Sequence, residues 1–385
     1  DRLLISSADG GNSINDAVRI AYYLANIGLT LAQSAPLPAP KDGAQFHFSL
    51  PGSRQGFQAA SGYPHAPLRV ANGQLDGRNT LALHFDALAP GRSALVSTPT
   101  FTSRDVLNMR TYDLMATPLV YSGQTVKARI AAPAQNRGAV TVALCCRVYD
   151  EHDQLQGVSG DATVLAPGEE KTIEWLLPDF AGQPIGELGL TLEAAGKHAE
   201  GSVLVDFIRW DGAPQLTLTR PRGNCDFWRR SWVNGVTFFS KHFPSSFRIA
   251  QDRGEGIIIH GTRQWTDYEV ETEITLHLGD YGGVAVRAQG LRRYYAARVT
   301  RGGQFQIVRT RDDSTQVLAQ TPFDLAFERK LDCTVTAHGN RISASIAGVS
   351  LEAVDDSDMA LRNGGIGLLV FEGALSTDLV RISAA

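Results

Sequence analysis

The residues whose types and spacing carry the most chemistry lie between Glu269 and Arg298. In Tyr281 to Val299, YGGVAVRAQGLRRYYAARV, two extended segments meet at Gly290 to Arg293, the pattern of an antiparallel hairpin. Strict alternation sends Val284, Val286 and Ala288 to one face with Tyr295, Ala297 and Val299. Gly283, Ala285 and Arg287 then share the other face with Tyr294, Ala296 and Arg298. Two guanidiniums and a phenol over a floor of Gly and Ala leave room for a ligand, and Arg holds carboxylates, phosphates or sugar hydroxyls through fixed donors. The same pattern also describes a solvated outer face, which antiparallel sheets commonly have.

Upstream, Glu269, Glu271 and Glu273 alternate with Val270, Thr272 and Ile274, lining three carboxylates along one strand face. Their Cα atoms are then roughly 6–7 Å apart. Glycosidases use carboxyl pairs at roughly 5–5.5 Å when retaining and roughly 6.5–9.5 Å when inverting, placed on opposite sides of the scissile bond. Side by side on one strand, these carboxylates describe a solvated face, with Glu271 and Glu273 as ligand-binding candidates. Trp228 and Trp232, in CDFWRRSWVNGVTFF, fit one face of either a helical turn or a strand. Such a pair either stacks on sugar rings or fills a core. His-Glu-x-x-His, Walker, Gly-x-Ser-x-Gly and dinucleotide-binding patterns are all missing, so no catalytic residue is assigned.

These candidates need strands to position them, and the composition supplies strands. Glycine (38) and proline (17) punctuate short runs rich in Val, Thr, Phe and Leu. With 385 residues, 43% hydrophobic and 20% charged at net charge −4, the chain is an ordinary globular one with two or three cores and no basic nucleic-acid surface. No nucleic acid and no membrane partner is expected, because no apolar run is long enough to span a bilayer. The chain starts at Asp1 without a signal peptide, as a processed product or a piece of something longer would, and its localisation stays open. Cys145 and Cys146 face opposite ways in one strand, Cys225 and Cys333 are isolated, and none has metal-site spacing, so all four read as packing residues.

In chain order, residues 1–31 read as one helix, capped at Ser13 with Asp16 three positions on and carrying Ile20, Leu24, Ile27 and Leu31 at helical spacing. Residues 32–45 form a Pro- and Ala-rich linker. Residues 46–213 contain strand patterns at Thr80–Phe85, Gln124–Ile130, Val140–Tyr149, Lys171–Leu177 and Val203–Trp210, the spacing of a jelly-roll sandwich. Residues 214–385 form a second sandwich, with a hairpin turn at Gly339-Asn340. The fold class is therefore mostly β: two consecutive antiparallel β-sandwiches preceded by one α-helix.

The segments FHFSLPGSRQGFQ and VLVDFIRWDG resemble the first and last strands of jelly-roll carbohydrate-binding modules. That resemblance implies calcium at an acid in each of those strands; Asp206 matches the second, while Ser49 stands in place of the first. GGVAVRAQGLRRYYAARV, FQIVRTRDDSTQVLA, HGNRISASIAG and GGIGLLVFEG resemble concanavalin-like or laminin-G-like sandwiches, including the 3-keto-disaccharide hydrolase type, over about residues 224–385. This implies a concave, saccharide-binding sheet carrying Arg287, Tyr294 and Arg298. DRLLISSADGG and NSINDAVRIAYYLANIG, followed by two sandwiches, resemble the C-terminal end of bacterial ADP-ribosylglycohydrolase-family proteins. That family implies a preceding helical catalytic domain with paired magnesium ions, against which this chain would pack; Asp9 and Asp16 match neither of its acidic motifs. The expected role is a non-catalytic accessory region, carbohydrate-binding or scaffolding. The alternative is a glycoside-acting enzyme using Glu271, Glu273 and Arg287 on the concave face of the last domain.

Overall fold

The computed structural model describes residues 43–50, 52–59, 68–101, 117–243 and 245–385. The helix expected within residues 1–31, with Asp9 and Asp16, and most of the linker 32–45 lie outside them. The named elements among the described residues are all strands except one helical turn, Phe227–Arg230.

Long runs of Val, Leu and Ile with period-two polarity build the first half. One antiparallel sheet has the order Glu170–Leu176, Thr125–Ala131, Ala199–Asp211, Arg78–Leu88, Leu68–Leu75, with Phe46–His47 also paired to Ala199–Asp211. The other has the order Gln58–Ala59, Ala94–Pro99, Ile185–Ala194, Val140–Tyr149, Leu155–Ser159, with Thr163–Leu165 also on Val140–Tyr149. Leu81, Leu83, Ile130 and Val203 of the first sheet meet Val96, Leu144, Leu190 and Leu192 of the second in one buried cluster. Each such side chain contributes about 1.5–3 kcal/mol by leaving water, which holds the two sheets face to face.

The second half is one hydrogen-bonded system of thirteen strands folded into two layers. The fold line runs through the last strand, Gly365–Ala384. Up to Phe371 it pairs with Tyr281–Gly290; from Ala374 it pairs with Tyr268–Leu278. Between them Glu372 has φ +45, and a Cβ on Gly373 would collide with the carbonyl of Leu278, so the strand bends and changes layer. Val284, Val286, Tyr295 and Phe305 of one layer then face Val270, Ile274, Leu331 and Ile346 of the other. The two turns read from the sequence are present: Gly290 pairs with Arg293, and His338 with Arg341 across Gly339 at φ +56.

The halves meet through aromatic rings and a shared cap. Tyr149 stacks on Phe227 at 4.1 Å, and the Asp153 carboxylate accepts the N–H groups of Asp226 (2.7 Å) and Phe227 (2.9 Å). Those are amides the helical turn Phe227–Arg230 cannot satisfy itself. Beside them Tyr121 packs against His260 (5.2 Å) and Trp265 (4.8 Å), and the Trp210 indole donates to Gln264 (2.9 Å).

Candidate functional site

Alternation along Tyr281–Gly290 fails at Arg287. The pairing shifts register around it, and Arg287 has φ +50. The extra residue puts Ala288 with Ala285, Tyr294 and Ala296 in the outer cluster, where strict alternation had placed it with Val284 and Val286. Arg287 itself goes to the loops and is 2% exposed. Its guanidinium donates to the carbonyls of Thr266 (3.1 Å), Gly339 (2.7 Å) and Leu361 (3.1 Å) and to Asp267 Oδ1 (3.2 Å). Arg287 therefore ties three loops together and does not join Arg298 and Tyr294 on a ligand face.

Tyr294 and Arg298 do share a face, and its organiser is Glu255. The Tyr294 hydroxyl donates to Glu255 Oε1 and the Tyr281 hydroxyl to Glu255 Oε2 (2.9 Å). Burial, then the Glu255 charge, pushes both phenols well above their ordinary range. Arg298 lies over the Tyr281 ring at 4.1 Å and donates to Gln306 (3.0 Å). Each polar group that the sequence singled out here is engaged by a neighbour.

Glu271 and Glu273 lie on the outside of the opposite layer, since Val270 and Ile274 between them point into the core that Val284 and Val286 enter from the other side. Glu271 pairs with Arg381 (3.0 Å), Glu273 with Lys330 (2.5 Å), and Glu269 accepts from Thr336 (2.8 Å). The two carboxylates thus lie on the outside of their layer while Arg287 is spent among the loops at its end, so the three do not converge on one site. Next to them Thr334, Thr336, Ser343, Ser345, Ser350 and Glu352 line an open groove of about 320 Å³, where Glu352 is paired with Arg341.

Trp228 and Trp232 are core residues, 3% and 1% exposed, packed on Phe247 at 5.6 and 5.5 Å. The four cysteines are free and buried, and burial pushes the Cys146 and Cys333 thiols up to about 12. Asp206 accepts from Arg78 (2.9 Å) with Arg129 at 3.6 Å, so two guanidiniums stand where calcium would need oxygen ligands. Among the described residues no group of three or more His, Cys, Asp or Glu could hold a metal. This donor set does not fit a calcium site.

Unused polar groups occur instead on the outer face of the first sheet. Register sets Arg69 opposite His84 and His84 opposite Ser202. The next row is apolar and largely buried: Ala71 opposite Ala82, Ala82 opposite Leu204, and Leu204 opposite Ala131. A bulge closes the polar end, where Asp86 and Ala87 stand opposite the single Glu200 and Asp86 is thrown outward. Gly201, at φ +136, passes so close to Asn136 that a Cβ would collide with its Oδ1. Asn136 in turn donates to Ser202 O (2.7 Å) and accepts from Ser202 N (3.0 Å), fixing the bulge.

Arg69, His84, Asp86, Asn136, Glu200 and Ser202 line an open cavity of about 560 Å³. Glu200 is engaged by His198 (3.1 Å) and Arg137 (3.3 Å), which hold it below the ordinary carboxylate range, His198 most strongly. Burial and then Arg69 lower the His84 pKa, with Asp86 opposing. Neither Arg69 nor His84 has a hydrogen-bond partner among the described residues. Sequence reasoning missed this row. Its one local signal is His84 at an outward position of the strand pattern Thr80–Phe85.

No family model and no curated protein matches the chain. Among solved structures it is similar to the carbohydrate-binding module CBM66 from Bacillus subtilis, 17% identical over 40% of this chain and 95% of that one, TM-score 0.35. The Caenorhabditis elegans galectin LEC-6 is 11% identical over 37% of this chain and 99% of that one, TM-score 0.28. The tandem CBM22-1–CBM22-2 domain of Paenibacillus barcinonensis Xyn10C is 12% identical over 88% of this chain and 96% of that one, TM-score 0.29. Likenesses this distant add nothing to the β-sandwich architecture already described.

Proposed function

We propose that the chain is a carbohydrate-binding one, and that it takes saccharide on the outer face of the first sandwich. The observation that carries this is the row Arg69–His84–Ser202 in the open cavity, with two side chains free to donate. A sugar offers adjacent hydroxyls, which these donors match, while Ala82 and Leu204 beside them are buried and stiffen the floor of the site. No aromatic ring lines the cavity except Phe85 and the His84 imidazole, and Phe85 points to the core, so affinity comes from hydrogen bonds at about 0.5–1.5 kcal/mol each. Isothermal titration of the intact chain against an oligosaccharide panel tests it. The double variant Arg69→Ala, His84→Ala is expected to lose binding with an unchanged melting temperature. Binding that survives both changes, or no binding to any glycan, overturns the reading.

We further propose that residues 46–213 and 214–385 act as two accessory units of an ADP-ribosylglycohydrolase-like hydrolase, packing against its helical catalytic domain. The support is the resemblance of residues 1–31. Release of ADP-ribose by this chain alone, with magnesium and an ADP-ribosylated substrate, would overturn the non-catalytic role.

A further inference from the structure

We infer that the saccharide taken by this groove is an acidic one, a sugar whose carboxylate lies between Arg69 and His84; this rests on the saccharide reading above. The argument is one of charge and partners. Arg137 is matched by Glu200, and Arg78 and Arg129 by Asp206 and Glu170. Arg69, in the cavity, is paired with no acid among the described residues. Asp86 is the remaining carboxylate of the cavity, and at His84 its influence is smaller than that of Arg69.

The groups facing His84 are Arg69 on one neighbouring strand, Ser202 on the other, Asp86 on its own, and the Glu200–Arg137 pair across the cavity with His198 behind it. The guanidinium fork matches a planar carboxylate with two parallel hydrogen bonds, a better fit than it makes to a neutral hydroxyl. The imidazole, directly opposite in register, can donate to the same anion. An anion beside His84 favours the imidazolium, so binding takes up a proton and tightens as pH falls through the His84 titration.

The test is titration of the intact chain with uronic-acid oligosaccharides, their carboxyl-reduced counterparts and sulfated oligosaccharides of equal length. The acidic sugar is expected to bind at least about 10-fold tighter than the reduced one at pH 6, as one charge-assisted hydrogen bond supplies. Arg69→Gln should remove that preference, and His84→Gln should remove the tightening between pH 8 and pH 5.5. Equal affinity for acidic and reduced sugars, with both still lost in the Arg69→Ala, His84→Ala variant, overturns the acid preference and leaves the saccharide reading standing. Tighter binding of the sulfated sugar, or an acid preference that survives Arg69→Gln, also overturns it. Failure of every glycan to bind overturns both.

Discussion

The two halves present arginines in opposite ways. Arg287, in the second, is 2% exposed and spends its guanidinium on three carbonyls and a carboxylate of its own fold. Arg69, in the first, is exposed and has no partner among the described residues. Residue type does not separate them. The difference is whether the surrounding backbone leaves unsatisfied acceptors within reach, because a buried carbonyl will claim a guanidinium before any ligand can. In the second half the carboxylates of both faces are likewise claimed: Glu255 by two phenols, Glu271 by Arg381, Glu273 by Lys330.

The sharpest way to break this contrast is to truncate both arginines. Arg287→Ala strips donors from buried acceptors and is expected to cost about 3–5 kcal/mol, read as a drop in the urea midpoint. Arg69→Ala should stay within about 0.5 kcal/mol. If Arg287→Ala cost no more than Arg69→Ala, satisfaction by the fold would not be what distinguishes them.

The junction between the halves supplies the next test. His260 donates from Nδ1 to Ser231 O (2.9 Å), sits among Tyr121, Trp232 and Trp265, and has no hydrogen-bond partner at Nε2. Burial outweighs the Ser231 carbonyl and lowers its pKa from 6.5 to about 4. The unfolded chain therefore binds a proton below pH 6.5 that the folded chain refuses until about pH 4. Stability is unaffected above that window and falls as pH drops through it, by about 3 kcal/mol in all. His260→Gln should flatten this segment of the stability–pH curve. An unchanged slope between pH 6.5 and 4 would assign the acid sensitivity to other groups.

What could be read in the sequence follows the same line. Val140–Tyr149 and the turns at Gly290–Arg293 and Gly339-Asn340 were legible because alternation and turn chemistry are local. Arg287 was misread because a single bulged residue reverses every side chain after it, and nothing in composition announces a bulge. Trp228 and Trp232 have the same spacing whether they stack on sugar or fill a core, and only Phe239 and Phe247, brought in by later strands, decide it. The Arg69–His84–Ser202 row was invisible because it is a fact of register between three strands, the third far along the chain. Local pattern carries the fold; the candidate site depends on which strands become neighbours.

The smallest expected effect tests the contrast from its other end. Glu271 and Glu273 are paired, yet their side chains are 45% and 40% exposed and their partners Arg381 and Lys330 more so. Exposed pairs gain little over water and are screened by salt. Glu271→Gln with Glu273→Gln should therefore leave the urea midpoint unresolved from that of the parent chain, weaken its salt dependence, and leave saccharide affinity at Arg69 and His84 untouched. A carboxylate is free to serve a ligand only if releasing its partner costs little, and these two meet that condition better than Arg287 does. A glycan-cleaving activity abolished by the two changes would thus show that pairing at an exposed surface, unlike pairing in the interior, does not mark a side chain as structural.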